Sequence, residues 1–371
     1  MDFVNQSGLI AGWTTGFDRD GRELLVVVAK ATFEIPVGGS IPAYAEAQVE
    51  LVKEDEFSGE PGYSAPLRES DYAHRKLRAD VLLNGSAYAA GERPATSVEV
   101  SLRVGSMRKS FFVFGERRWD GGALSVSAGE PAPFQKTSIS YNSAYGGTDL
   151  NEDDPVKVYT YIENPVGTGY HPISPATALV DRLLPNTAEG DTPISNTKGK
   201  FRPMSFGSIG RNFSPRFRHA GTYDQTWLDN EAPFWPADFS YAYFQSAPPD
   251  QQVPFLQGDE QVELKNLTPD GWRSFRIPKR AIPVICIPHH GDDVQTEAVC
   301  DTLLLEPDAN RFSLTWRAAF PLRRNLFELK QTIVGDLPQS WYSKRRAQRA
   351  GKAYYASLAD AVAARGGRRR G

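Results

Sequence analysis

The stretch Phe312-Ser313-Leu314-Thr315-Trp316-Arg317-Ala318-Ala319-Phe320 decides the fold class. Phe312, Leu314, Trp316, Ala318 and Phe320 alternate with Ser313, Thr315, Arg317 and Ala319. That period of two places successive side chains on opposite faces of a β-strand. Working outward, the same period recurs on both sides of the chain. In Leu24 to Ile35, Leu25, Val27, Ala29, Ala31, Phe33 and Ile35 share one face. The other face begins apolar (Leu24, Val26, Val28) and turns polar (Lys30, Thr32, Glu34), so one end is expected to be buried on both sides. Val98, Val100, Leu102 and Val104 alternate with Glu99, Ser101 and Arg103, a half-buried strand. Gly105-Ser106 then turns into Lys109 to Phe114, and Asp120-Gly121-Gly122 turns into Leu124 to Ser127. Towards the C-terminus, Val262 to Leu267 and Trp272 to Ile277 flank the hairpin turn Thr268-Pro269-Asp270-Gly271. Ala281 to Pro288 reads as a short buried strand, which Pro283 assigns to an edge or an end.

Between these β regions lies a block with no surviving period. From Pro215 to Gln252 it holds Tyr223, Trp227, Phe234, Trp235, Phe239, Tyr241, Tyr243 and Phe244, interrupted by prolines. Prolines of this density break helices and ladders, while aromatics carry too much apolar area to stay solvated. A long, ordered, packed loop region is expected, and such loops are often functional. Ser174-Pro175 before Ala176 to Leu184 predicts one short helix. The expected fold is mainly β. Two antiparallel, sandwich-like sheet lobes (1–130 and 256–338) are joined by a long ordered Gly/Pro/aromatic-rich segment (131–255), and a basic helical tail (339–371) follows.

That tail stands apart in charge. The whole chain of 371 residues carries a net charge of -3. Residues 344–371 hold nine basic residues and one acidic (Asp360), a net of +8, which leaves -11 on the remainder. Helix-favouring residues from Ser340 to Ala364 predict a helix in which Tyr354, Tyr355, Leu358 and Val362 share a face. Gly366-Gly367 would end it before a frayed Arg368-Arg369-Arg370. Arg345, Arg346 and Arg349 are its contact candidates, for an acidic protein partner or for the acidic body itself. Nucleic acid is not the expected partner, because the body is acidic and no reader motif is present.

Composition is globular: 40% hydrophobic and 23% charged, with Gly 32 and Pro 27 pointing to a loop-rich β protein. Cys286 and Cys300 lie in apolar runs and are expected to be reduced and buried. The N-terminus lacks the basic start and apolar run of a signal peptide, and no run is long enough to span a bilayer. A cytoplasmic protein without a membrane partner is expected.

Chemical templates fail in turn. His289-His290-Gly291-Asp292-Asp293 offers ligand types, but neighbouring side chains diverge, so it reads as a polar turn and no metal is expected. No Gly-x-Ser-x-Gly elbow occurs, and His219 near Asp224 does not make a triad. Gly167-Thr168-Gly169 lacks the third glycine of a dinucleotide loop, so no cofactor is expected. Asp224, Asp229, Glu231 and Asp238 among Trp227 and Trp235 leave open a carbohydrate-active hydrolase. Such an enzyme needs two carboxyl groups facing each other about 5–9.5 Å apart.

An ordered motif set carries a resemblance. It comprises Ala144-Tyr145-Gly146-Gly147-Thr148-Asp149, Asn164-Pro165-Val166-Gly167-Thr168-Gly169-Tyr170, Leu184-Pro185-Asn186, Pro215-Arg216, Gly221-Thr222-Tyr223-Asp224-x-x-Trp227, Pro236-x-Asp238-Phe239 and Ala247-Pro248-Pro249-Asp250-Gln251. Upstream stand Val28-Ala29-Lys30-Ala31-Thr32-Phe33, Lys76-x-x-x-Asp80-Val81-Leu82-Leu83-x-Gly85 and Gly115-Glu116-Arg117-Arg118-Trp119. Together, over roughly residues 5–320, the chain resembles the bacterial domain-of-unknown-function family 2169. Thr187-Ala188-Glu189 and Phe213 depart from the family's pattern.

Members of that family are associated with type VI secretion clusters and are similar to effector adaptors or chaperones. The resemblance therefore implies a cytoplasmic bacterial protein without chemistry of its own. It would bind an effector or its PAAR-like tip domain and help load it on the secretion spike. The alternatives are the hydrolase and a chain that is itself a secreted toxin. Within the aromatic block, Tyr223, Asp224, Trp227, Trp235, Asp238 and Phe239 are the partner-binding candidates, while most of its aromatics are expected to be core.

Overall fold

The computed structural model describes residues 1–91, 93–122, 125–150, 157–360 and 362. The protein is mainly β, as expected. The stretch from Phe312 to Phe320 lies in the strand Arg311–Pro321, near the middle of a six-stranded sheet. The sheet runs in the order Gln252–Val253, Ala79–Leu83, Val299–Glu306, Arg311–Pro321, Glu23–Glu34, Ile10–Phe17. Its pairs are antiparallel except that Ala79–Leu83 runs parallel to Val299–Glu306. A five-stranded sheet runs Thr187–Ala188, Met107–Phe114, Ser97–Val104, Gln261–Lys265, Trp272–Arg276. A four-stranded sheet runs Asp2–Asn5, Leu329–Val334, Pro283–Pro288, Val294–Glu297.

These sheets do not follow the expected division into a 1–130 lobe and a 256–338 lobe. Ser97–Val104 pairs with Gln261–Lys265, and Glu23–Glu34 pairs with Arg311–Pro321. One core cluster joins Leu25, Val27, Val100, Leu102, Phe111, Val262, Phe275, Val284, Leu314 and Trp316. A period of two says that a strand has an apolar face to bury, but it does not say against which strand. Both β regions bury their faces in the same place, and Ile139, Met204, Phe206 and Val253 of the intervening segment join that core.

The hairpin over Thr268–Gly271 forms as expected, closed by Asn266 N donating to Gly271 O at 2.7 Å, with Gly271 at φ +77°. Pro283 stands at the first position of its strand, and both cysteines are free and buried. Two helices are shorter than expected. Ala176–Leu179 stops early because Asp181 turns left-handed and Leu184 N is taken by Arg117 O. The tail helix, Gln339–Arg349, ends before Gly351 at φ +64°, so Tyr355, Leu358 and Val362 stand exposed and do not form one buried face. Leu124, Gly366-Gly367 and Arg368–Arg370 lie outside the described residues.

The polar face of the central strands is not solvated. Lys30, Thr32, Ser313, Thr315 and Arg317 are all buried. Segment 49–76 lies over this face, with Leu51 and Tyr72 packed on Leu24, Val26 and Val28. Gly12 and Gly16 permit that approach, since a Cβ at Gly16 would overlap the His74 imidazole.

Candidate protein-binding surface

The buried polar face is held by ion pairs. Lys30 Nζ donates to Asp71 Oδ2 at 2.8 Å, an oxygen that also accepts from Val52 N. Arg317 Nε donates to Asp301 Oδ2 at 2.6 Å, and Lys76 Nζ donates to Asp80 Oδ2 at 2.6 Å. Lys30, Asp71, Lys76, Thr315 and Arg317 line a cavity of about 30 Å³, room for one water. Nearly complete burial of both partners makes each pair expensive to break and so a tie between segments. In the sequence, Lys30 and Lys76-x-x-x-Asp80 stand as motif residues without a chemical role. The available signal was a charge flanked by apolar residues on both sides, as at Ala29-Lys30-Ala31 and Ala79-Asp80-Val81.

The other motifs resolve into similar locks. Asn164 is fully buried and donates through Nδ2 to Tyr141 O and Tyr145 O. Asp149 accepts from Ile173 N, Ser174 N and Ser174 Oγ, and these bonds hold its carboxyl below the usual carboxylate range despite burial acting in the opposite direction. Gln251 donates to Val81 O and Phe206 O and accepts from Lys109 Nζ at 2.7 Å. Burial pulls the Lys109 ammonium down to about 8, partly countered by Asp250.

The Pro215–Gln252 block is built on Arg216. This buried guanidinium donates to Ile209 O and twice to Tyr243 O, and pairs with Glu69 at 2.6 Å. The block then folds as a knob against the end of strand Ile10–Phe17. Trp235 donates through Nε1 to Phe17 O at 2.9 Å and stacks on Phe239 at 4.2 Å between centroids. Phe234 meets Phe17 edge-on at 5.4 Å.

Within this knob the expected contact residues divide. Phe239 is buried, which corrects its place among the contact candidates: it is the floor under Trp235, Tyr241, Tyr243 and Phe244. Trp235 is half-buried and committed to Phe17. Asp238 accepts from Thr222 N and Thr222 Oγ1, and these bonds hold it below the usual carboxylate range. Asp224 caps the helix Gln225–Asn230 by accepting from Trp227 N at 2.9 Å. Both carboxylates therefore do turn and cap duty. Trp227 is half-buried, donates to Phe234 O and meets the Tyr223 ring at 4.7 Å. Tyr223 (53%), Leu228 (57%), Phe17 (43%) and Phe234 (39%) are exposed on this braced frame. Leu228, Phe17 and Phe234 were not among the expected contacts. A leucine on a six-residue helix gives no sequence signal of exposure.

The tail helix docks on the body itself. Trp341 and Tyr342 pack on Ile285, Ile287 and Ile333. Arg345 clamps Asp293 through Nε (3.0 Å) and Nη2 (2.8 Å), and Arg349 reaches Asp292 and Asp293. The hydrogen bonds from Arg345 hold the Asp293 carboxyl below its usual range. Arg345 and Arg349 thus contact the acidic body itself, the second of the two partners expected for them, while Arg346 is exposed. Among the described residues no group of three or more His, Cys, Asp or Glu could hold a metal ion, and no helix is long and apolar enough to cross a membrane.

The family described as "Uncharacterized protein conserved in bacteria (DUF2169)" matches residues 20–317. The chain belongs to the DUF2169 family. No curated protein and no solved structure matches it. The matched span of this DUF2169 protein runs from just before the strand Glu23–Glu34 to within Arg311–Pro321, and so takes in the buried ion pairs and the bonds made by Asn164, Asp149, Gln251 and Arg216. It ends before the tail helix.

Proposed function

We propose that this DUF2169 protein is a non-enzymatic adaptor that binds a type VI secretion effector, or its PAAR-like tip domain, and helps load it on the spike. The observation that carries the reading is the knob: exposed Phe17, Tyr223, Leu228 and Phe234 on a frame fixed by Arg216, Asp224 and Asp238. Aromatic and large apolar side chains presented without mobility are what a protein interface uses as anchors, because little entropy is lost on docking. The motif residues support the reading too. Those traced above are spent on backbone carbonyls and amides or on buried ion pairs, so they hold a shape and leave no free nucleophile or acid–base pair among them.

The test is co-expression with type VI effectors that carry a PAAR-like tip domain. Wild-type protein is expected to co-purify with one of them, or to raise its solubility. The double variant Tyr223→Ser/Leu228→Asp, folded by circular dichroism, is expected to lose at least about tenfold in affinity. No complex and no change in effector solubility with the wild type would sink the proposal.

A further inference from the structure

The five-stranded sheet ends at Trp272–Arg276, and this end is open. Its hydrogen-bonding phase is fixed by three bonds. Asn266 N donates to Gly271 O, Ile277 N donates to Glu260 O, and Gly105 N donates to Gln261 O. With the pairing Leu264↔Arg273 and Val262↔Phe275, the backbone groups of Arg273 and Phe275 point to the neighbouring strand. Those of Trp272, Ser274 and Arg276 point away from it. No backbone partner within the described residues meets these three N–H and three C=O groups.

The open edge does not face bulk solvent alone. It forms one wall of a groove of about 600 Å³ whose other wall is the loop Gly38-Gly39-Ser40-Ile41-Pro42. Arg273 Nη1 reaches Ile35 O and Pro36 O, which fixes the root of that loop beside the strand. Ile41 is 89% exposed and Trp272 52% exposed, one on each wall. Beneath, the buried rings Phe275, Phe312 and Phe33 stack in series at 5.0 and 5.2 Å, with Tyr44 next at 4.8 Å. The sheet's apolar face thus continues to the rim. Gly38 and Gly39 have φ of +67° and +75° with no atom close to where a Cβ would sit, so the loop has room to adjust.

We propose that this groove takes an extended segment of the cargo protein as an added antiparallel or parallel strand. The segment has apolar residues at alternate positions, facing Ile41 and the Phe275 side. A strand adds through main-chain bonds, and alternate side chains supply the selectivity. Trp272 to Arg276 accommodates about five residues at roughly 3.3 Å each. The groove lies beyond the Glu34 end of strand Glu23–Glu34, and the knob lies at its Glu23 end, about 40 Å away by strand rise. It is therefore a second surface. The cargo's identity rests on the adaptor reading, but the strand chemistry does not.

Ser274→Pro is the diagnostic variant. It removes an outward N–H and leaves the ladder to Gln261–Lys265 intact, because proline is tolerated at such edge positions. Two probes separate the two proposals. The first is the synthetic peptide acetyl-Thr-Val-Thr-Val-Thr-Val-Thr-amide, followed by NMR. In wild type it is expected to shift and protect the amides of Trp272, Ser274 and Arg276, and in Ser274→Pro to bind about tenfold more weakly. The second is a type VI effector carrying a PAAR-like tip domain, whose affinity should fall by a similar factor in the same variant.

A peptide that leaves those amides unchanged overturns the groove proposal, whether or not the effector binds. So does an effector complex indifferent to Ser274→Pro, or a wild-type homodimer by light scattering that Ser274→Pro dissolves, since the edge would then pair with its own copy. A peptide that engages the groove while the effector does not bind the protein at all supports the groove and overturns the adaptor reading. Thermal unfolding of Ser274→Pro alongside wild type establishes that the variant is folded.

Discussion

Substituting Asp80 by Asn should test the buried polar face most directly. Asp80 is fully buried and its carboxylate accepts four hydrogen bonds: from Lys76 Nζ at 2.6 Å, Gln245 Nε2 at 2.7 Å, Ser246 N at 2.9 Å and Ser246 Oγ at 3.1 Å. It therefore ties the strand Ala79–Leu83 both to Lys76 and to the end of the aromatic knob. Asparagine keeps the shape and one acceptor oxygen, but it leaves the Lys76 ammonium, itself buried, without its counter-charge. Removing one partner of a buried pair costs about 3–5 kcal/mol, because the surviving charge stays desolvated. Against a total stability of about 5–15 kcal/mol this is a large fraction.

Urea unfolding followed by tryptophan fluorescence should show the midpoint of Asp80→Asn falling steeply at unchanged slope. Adding Lys76→Met removes the orphaned charge. The double variant should therefore recover at least about 1 kcal/mol relative to Asp80→Asn, a coupling that a double-mutant cycle reads directly. If Asp80→Asn costs less than about 1 kcal/mol, the cost expected of a neutral buried bond, water reaches the pair and the burial reasoning fails. If Lys76→Met brings no recovery, the loss came from Gln245 and Ser246 and not from the charge.

Two pH responses follow from the same structure. Lys109 titrates at about 8 in the fold against 10.5 ordinarily, so between those values the unfolded chain holds more protons and stability should rise with pH. The rise should vanish in Lys109→Met, as read by urea midpoints across that window. The clamp on Asp293 has the opposite sense. Its folded value is depressed, so the stability it contributes is present above the usual carboxylate range and lost as pH falls through the folded value. Protection factors over Gln339–Arg349, referred to the intrinsic exchange rate at each pH, should fall on acidification before the central sheet opens, and in Arg345→Ala they should already be low at neutral pH.

The sequence by itself determined most of the local structure. Alternation placed the strands around Phe312–Phe320, Val98–Val104 and Leu24–Ile35. Gly and Asp placed the turn at Thr268–Gly271, and apolar flanks placed both cysteines inside. These are short-range consequences of chain geometry, legible wherever one residue's neighbours decide its conformation.

Tertiary structure alone decided the rest. That Ser97–Val104 pairs with Gln261–Lys265 and Glu23–Glu34 with Arg311–Pro321, so that no lobe follows the chain order, depends on partners about 160 to 300 residues apart. An alternating pattern does not encode which faces meet. The burial of Lys30 and Thr315 had no local mark, because the Asp71 carboxylate that both donate to is 41 residues from Lys30 and 244 from Thr315. The candidate surface was half legible for the same reason. Aromatic content marked the knob, but only packing separated Phe239, which is floor, from Tyr223 and Leu228, which are surface. The open edge at Trp272–Arg276 had no sequence mark at all, because an edge is defined by the strand that is absent beside it.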